Sequence, residues 1–275
     1  MAGRHGPKVT PSSRRGTTFR KPVLRLFATT LWEFPSQHYL DYEQTPGGRV
    51  VRTRSPSGVQ GDPNYEGATP SWVVWQLLQR YTAPGETVLD PMCGSGTTLD
   101  VAADLDRVGV GFDIAPSRPD IRRADARRLP LRDASVDFVF VDPPYSTHLR
   151  YSDDPACIGR LDAGGPDGGR AYFDAMRRVV AEIHRVLRPG RHAAVYVSDS
   201  WADGRLAPIG AALWSLLRPR FALVDWIVVV RRNADLSDTR RRRAAARAGA
   251  LMRGFNHLLV VRRSDARPRP RSRRG

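Results

Sequence analysis

Apolar positions along this chain follow two periods, and the two alternate. Short apolar runs predict strands at Glu86–Leu89, Val108–Phe112 (ending at Asp113), Ile121–Ala124, Val136–Val141, His192–Val197, Phe221–Val230 and His257–Val261. Between them, apolar residues recur every three or four positions. Trp72, Val73, Leu77, Leu78 and Tyr81 predict one helix; Leu99, Val101, Ala102 and Leu105, following Thr97, predict a second. Phe173, Met176, Val179, Val180, Ile183 and Leu187 place a third over 171–187, and a fourth spans 205–217. Thr69 suits an N-cap, with Pro70 at the first helical position. Ala83-Pro84-Gly85 and Arg188-Pro189-Gly190 are stop signals. Two prolines in 115–120 make that crossover short or irregular.

Strands alternating with helices predict an α/β fold with a doubly wound, mostly parallel sheet. The last two strands are joined without a long helix, which permits one antiparallel strand near the C-terminus. The chain shows no internal repeat. Residues 67–263 are expected to form the main domain. Residues 1–22 and 264–275 read as disordered basic tails, rich in Arg with little to bury. The stretch 23–66, punctuated by Trp32, Phe34, Tyr39 and Tyr42, reads as an extension that packs on the domain or forms part of a substrate surface. Residues 146–170, rich in Gly, Asp and Pro, read as a mobile loop.

Charge changes the picture more than composition does. Residues 1–22, 231–253 and 262–275 each carry +6, which leaves −2 of the net +16 for the rest of the chain. Such basic segments suit a nucleic acid. Arg outnumbers Lys 42 to two, so a coding bias toward arginine explains the same excess. Two cysteines, Cys93 and Cys157, exclude a disulfide framework or a cysteine zinc cluster. The basic N-terminus lacks the apolar core of a signal peptide, and no apolar stretch reaches the ~20 residues of a membrane span. A soluble, cytoplasmic protein is expected.

Two loops at strand ends carry the candidate chemistry. Asp90-Pro91-Met92-Cys93-Gly94-Ser95-Gly96-Thr97-Thr98 joins a strand to a helix. Its glycines allow a ligand close to the main chain, and the helix offers free N–H groups. It lacks the lysine and spacing of a P-loop and the last glycine of a dinucleotide fingerprint. An acid at its start, Asp90, repels a pyrophosphate and attracts an ammonium. Asp113 stands where an acid accepts from ribose hydroxyls, and Asp125 where it accepts from an adenine amine. Singly each acid also suits a turn or cap. In this order they fit S-adenosylmethionine.

The second loop is Asp142-Pro143-Pro144-Tyr145. An exocyclic base amine is a poor nucleophile because its lone pair is delocalised into the ring. Acceptors on its hydrogens favour the tetrahedral geometry that frees that pair. The Asp142 carboxylate is one and the Pro143 carbonyl the other, stiffened by Pro144. Tyr145 offers a face on which a flipped base stacks.

With both loops in view, the chain resembles the S-adenosylmethionine-dependent DNA amino-methyltransferases, which modify adenine-N6 or cytosine-N4. The resemblance covers roughly residues 67–200 and weakens toward 263. Asp142-Pro143-Pro144-Tyr145 matches the family's catalytic motif in full. The glycine loop has Met-Cys where a Phe and a variable residue are common. Thr69-Pro70-Ser71-Trp72 resembles the element that lines the methionine end of the cofactor. The resemblance implies a Rossmann-like methyltransferase sheet. The cofactor is then held by Thr69, Pro70, Asp90, Pro91, Cys93, Gly94, Ser95, Gly96, Thr97, Asp113 and Asp125. Only 23–66, 146–170 and 231–253 are spare for target recognition. The transfer RNA guanine-N2 methyltransferases share the motif order, so RNA is the second expected partner after DNA. A catalytically inactive nucleic-acid binder of the same fold is the third reading.

Lesser candidates remain. His148 and Tyr151 suit either a substrate contact or a plain surface loop; Asp199 and Trp201 suit either the base pocket or packing. Arg240–Arg243 with Arg247 suit a helix that tracks phosphates or a solvated face. Glu182 and His184 have no metal partner at ligand spacing, so no metal is expected.

Overall fold

The structure is a computed structural model that describes residues 26–34, 42–44, 50–52, 60–62, 65, 67–147, 149–202, 205–230 and 238–264. The expected tails, apart from Ser264, fall outside the described residues, as does His148.

Strands β1 (Leu31–Trp32), β2 (Tyr42–Gln44) and β3 (Val50–Arg52) precede the first helix, α1 (Ser71–Tyr81). Then come β4 (Thr87–Asp90), α2 (Thr97–Asp104), β5 (Val108–Asp113), β6 (Ile121–Arg123) and β7 (Val136–Val141). Helix α3 (Arg170–Val186) leads into β8 (Leu187–Val197), followed by a hairpin of β9 (Ser200–Ala202) and β10 (Arg205–Ala207). Helix α4 (Ile209–Leu217), β11 (Phe221–Val230), α5 (Thr239–Arg247) and β12 (Phe255–Arg263) complete the order.

The main sheet runs β1-β11-β12-β8-β7-β4-β5-β6. All neighbours are parallel except β12, which is antiparallel to both β11 and β8. The expected doubly wound sheet with one antiparallel strand is therefore the observed one. The strand period sorts side chains onto two cores. Val139 and Val141 of β7, Ala193 and Val195 of β8 and Leu259 and Val261 of β12 pack under α3 and α4. Phe138, Phe140, Ala194, Tyr196, Leu258 and Val260 pack under α1 and α2. Every residue of β7 is buried, as a central strand requires. Its Asp137 is neutralised by Arg188 and accepts from the Thr87 N–H.

Four sequence expectations shift. Arg188-Pro189-Gly190 does not separate α3 from a strand at His192. Those residues bulge within β8, since Leu187 pairs with Val136 and His192 with Phe138, and Gly190 takes φ 76°. Residues 205–207 belong to the hairpin, and α4 starts at Ile209 with Pro208 as its cap residue. Pro208 has no N–H to give a helix, so the helix begins after it. The described residues of 146–170 include a 3-10 turn at Ile158–Arg160, with Cys157, Ile158 and Ala163 buried. The stretch before α1 adds an edge strand, β1, that periodicity did not reveal. Trp32 and Phe34 are buried, and Phe34 stacks on Trp72 at 5.6 Å.

Candidate active site

The carboxyl ends of β4, β5, β7 and β8 surround one cavity of about 580 Å³. In an open α/β sheet this edge is where ligands bind. Of the fifteen residues singled out in the sequence, fourteen line it: Thr69, Pro70, Asp90, Pro91, Cys93, Gly94, Ser95, Thr97, Asp113, Asp125, Asp142, Pro143, Pro144 and Tyr145. Gly96 is not among the lining residues. It takes φ 86° ahead of α2, and a Cβ there would meet the Arg118 guanidinium at 2.6 Å. Gly96 therefore serves the turn and admits Arg118, which is paired to Asp100 at 2.8 Å and Asp120 at 2.7 Å.

The three acids at the β4, β5 and β6 ends differ in their surroundings. Asp90 is 4% exposed. It accepts from the Met92 N–H at 3.0 Å and the Thr98 hydroxyl at 2.6 Å, which fold the loop back on the strand. No arginine pairs with it among the described residues, and burial pushes its carboxyl up to about 7. Asp113 accepts from the Gly94 N–H at 2.9 Å and from the Ala115 N–H at 2.9 Å, tying the glycine loop to β5. Asp125 is held by Arg127, whose guanidinium donates to both carboxylate oxygens. Burial raises Asp125, but the Arg127 side chain and backbone N–H outweigh it and hold it below the ordinary range.

Cys93 is buried in the same loop. Burial, then Asp90, pushes its thiol well up, so it is not a thiolate. Gly94, at φ 50°, lies against the ring of Tyr65, 3.2 Å from where a Cβ would stand. Burial, then Asp113, pushes the Tyr65 phenol up to about 12, so it stays a neutral donor.

At the end of β7, the Thr69 hydroxyl donates to Asp142 Oδ2 at 2.8 Å. Thr69 was expected to cap α1; Pro70 occupies that position and makes no side-chain cap bond. The threonine side chain instead fixes the carboxylate across the cavity. The Tyr145 carbonyl accepts from the Ala163 N–H at 3.1 Å, so the segment after the loop returns onto it. Tyr172 of α3 is wholly buried nearby. Its hydroxyl has no partner in the structure, and burial, then Asp142, raises its pKa.

The other end of the cavity was not foreseen. Phe34, Tyr196, Ser198, Val229, Val230 and Asn256 line it, from the stretch after β1 and from β8, β11 and β12. Ser198 directly follows β8 as Asp142 follows β7, a position that the strand-end rule reaches. Asn256 lies at the start of the antiparallel strand, which brings its beginning to the edge where the parallel strands finish.

Among the lesser candidates, Tyr151 lines the cavity. Asp199 and Trp201 do not. Asp199 caps α4 by accepting from the Gly210 N–H at 3.0 Å and pairs with His257 at 3.1 Å. The Trp226 indole N–H donates to His257 Nδ1, so the imidazole proton sits on Nε2, facing Asp199. Trp201 is 39% exposed, with the Arg253 guanidinium 5.9 Å from its ring. Arg240–Arg243 do lie on one helix, α5; they are exposed, and Asp238 caps that helix. Among the described residues no group of three or more His, Cys, Asp or Glu is placed to hold a metal, and no helix is long and apolar enough to cross a membrane.

A family model described as DNA methylase matches residues 16–122, a stretch that includes the glycine loop and Asp113 and ends before Asp142. TrmN from Thermus thermophilus is 21% identical, with 72% of this chain and 50% of that one covered at a TM-score of 0.46. A second protein from Thermus thermophilus, named only provisionally as a DNA modification methylase, is 22% identical, with 54% of each chain covered at a TM-score of 0.37. The chain spans about half the length of each. An S-adenosylmethionine-dependent methyltransferase from Methanosarcina mazei is 14% identical, with 68% of this chain and 97% of that one covered at a TM-score of 0.45. The sheet order, parallel but for one antiparallel strand, is that of a doubly wound α/β fold. The match over residues 16–122 is to the kind of family that the motifs resemble.

Proposed function

We propose that this protein transfers a methyl group from S-adenosylmethionine to an exocyclic amine of a DNA base, adenine-N6 or cytosine-N4. The observation that carries this reading is one cavity holding both motif loops, with the Asp142 carboxylate anchored by Thr69.

The residues at the β4 and β5 ends suit the cofactor. Asp90 is a buried acid with no cation beside it among the described residues, and a ligand ammonium supplies that charge. Gly94 and Ser95 line the cavity beside Asp113, whose carboxylate suits a ribose hydroxyl. Asp125 faces the same cavity from the β6 end, its orientation fixed by Arg127. When bound, S-adenosylmethionine supplies an electrophilic methyl on a sulfonium.

The chain's own residues then do three things. The Asp142 carboxylate and the Pro143 carbonyl would accept hydrogen bonds from the two amine N–H groups and hold the lone pair toward the methyl. As the N–C bond forms and the S–C bond breaks, the amine would release one proton to the Asp142 carboxylate and on to solvent. Thr69 keeps the carboxylate in that orientation before substrate arrives, so the acceptor is not reorganised during the reaction. Tyr145 stacks on the base, which has left its helix to reach a buried site. The exposed arginines of α5 offer a polyanion a basic surface. The description of the matching family favours DNA over RNA as the polyanion.

Transfer of tritium from labelled S-adenosylmethionine to duplex DNA and bulk transfer RNA, followed by nucleoside analysis, tests the proposal. The expected product is methyladenine or N4-methylcytosine in DNA. Label only in transfer RNA guanine replaces the substrate, and label in neither overturns the reading.

A further inference from the structure

The strand order maps the cavity. Across the sheet edge lie Asp113 at the end of β5, Asp90 at the end of β4, Asp142 after β7, Ser198 after β8 and Asn256 at the start of β12. The acids lie on one side of Asp142, and a different chemistry lies on the other: a carboxamide, hydroxyls and apolar side chains, without a lining acid or base among the described residues. If the cofactor takes the acid side and the amine is held at Asp142, the rest of the substrate base extends toward β8 and β12.

Asn256 is the polar group built into that side. Its Nδ2 donates to the Tyr196 hydroxyl, and its Oδ1 is buried without a hydrogen-bond partner. Turning the amide over exchanges the two atoms but not the result. Tyr196 satisfies one, and the other has no partner among the described residues and is left for a ligand. A buried polar atom left unpaired is costly, and a binding site is where such a cost has a use. Tyr196 belongs to the core under α1, so it holds the amide from a rigid element.

We infer that Asn256, oriented by Tyr196, is the specificity-determining residue for the substrate base, reading a hydrogen-bonding edge of that base with the amide atom that Tyr196 leaves unpaired. This rests on the methyl-transfer reading above. A hydrogen-bonding site rejects bases that cannot complete it, because its own polar atom is then stranded.

The test measures Asn256→Ala, Asn256→Asp and Tyr196→Phe beside the unaltered protein. Three quantities are followed: methyl-transfer kinetics on duplex DNA and bulk transfer RNA, S-adenosylmethionine affinity, and melting temperature. The expected result for Asn256→Ala is roughly a 10-fold fall in kcat/KM for the nucleic acid, carried mainly by KM. S-adenosylmethionine affinity changes less than about 2-fold, since the lost bond is not to the cofactor. Asn256→Asp, which has no donor, alters the ratio of rates between methylatable bases, an effect that loss of packing alone does not produce. Tyr196→Phe moves KM in the same direction by less. If the unaltered protein transfers methyl and Asn256→Ala keeps its KM and base preference, the assignment of Asn256 falls while the methyl-transfer reading stands. If Asn256→Ala lowers cofactor affinity and nucleic-acid kinetics together, Asn256 belongs to the fold or the cofactor site, and the assignment also falls. If the unaltered protein labels neither nucleic acid, both fall together.

Discussion

The two ends of the cavity are built differently. At the β4 and β5 end two acids, Asp90 and Asp113, stand among hydroxyls, each acid fixed by backbone N–H groups or by a hydroxyl of the glycine loop. At the β8 and β12 end they are an amide and hydroxyls among aliphatic and aromatic side chains. Charge at the first end selects for a positive ligand. At the second end, hydrogen-bonding pattern and shape select for a flat, uncharged one. Asp142 stands between them, which is the place for a reacting group shared by two ligands. The difference teaches that adjacent strand ends can give one cavity two unlike linings without a domain boundary.

The comparison breaks most visibly at its midpoint. Asp142→Ala removes an acceptor fixed ahead of the reaction and is expected to lower the transfer rate by about 10²–10³-fold. Cofactor affinity should stay within a few-fold by equilibrium binding. A rate near that of the unaltered protein would put the amine elsewhere.

Thr69→Val keeps the shape of the side chain and removes the hydroxyl that donates to Asp142 Oδ2. The expected loss is about 10-fold in rate, an effect of one hydrogen bond to a charged acceptor. Single-turnover kinetics at saturating cofactor show whether the loss lies in the chemical step.

Asp90 sharpens the contrast through pH. Its carboxyl is raised from 3.8 to about 7 by burial. Between those values the folded protein holds a proton that the unfolded chain has released. Its contribution therefore makes the unliganded fold less stable as pH rises through that window. A cofactor ammonium favours the ionised carboxylate, so affinity should strengthen as pH rises through about 7. In Asp90→Asn both dependences should flatten, read by melting temperature across the window from 3.8 to about 7 and by cofactor titration on either side of about 7.

The basic helix adds a smaller, graded effect. Replacing Arg241, Arg242 and Arg243 of α5 with Gln should reduce the slope of log affinity against log salt by roughly one unit for each phosphate that the helix no longer neutralises. Cofactor affinity should not change. An unchanged slope would make α5 a solvated face.

The smallest effect is expected in the core. Tyr172→Phe removes a buried hydroxyl that has no partner, so stability should rise by about 1 kcal/mol or stay level. A clear fall in melting temperature would mean that the hydroxyl is satisfied.

The parallel half of the sheet was legible because each strand there is a compact apolar run and its loop follows in sequence. Val136–Val141 and Phe221–Val230 stand in the structure at the bounds the pattern gave. The glycine loop and Asp142 followed from the same logic. Where the fold departed, the reason was tertiary. Leu31–Trp32 is too short for any period to show, and pairing with β11 makes it a strand. Thr69 looked like a cap because caps are local, whereas its partner lies 73 residues away. Asn256 escaped because strand-end reasoning looks after a strand, and an antiparallel strand meets the same edge at its beginning. Phe34 and Tyr65 reach the cavity from segments with no regular pattern of their own.

The most direct test of the two-ended cavity measures cofactor affinity and methyl-transfer rate side by side in Asp90→Asn and Asp142→Ala. The account predicts a crossed result. Asp90→Asn weakens cofactor binding, and its rate recovers when cofactor is raised. Asp142→Ala binds cofactor normally and stays slow at any concentration. If both variants lose affinity together, or if Asp142→Ala recovers at high cofactor, the division of the cavity into cofactor and substrate ends is contradicted.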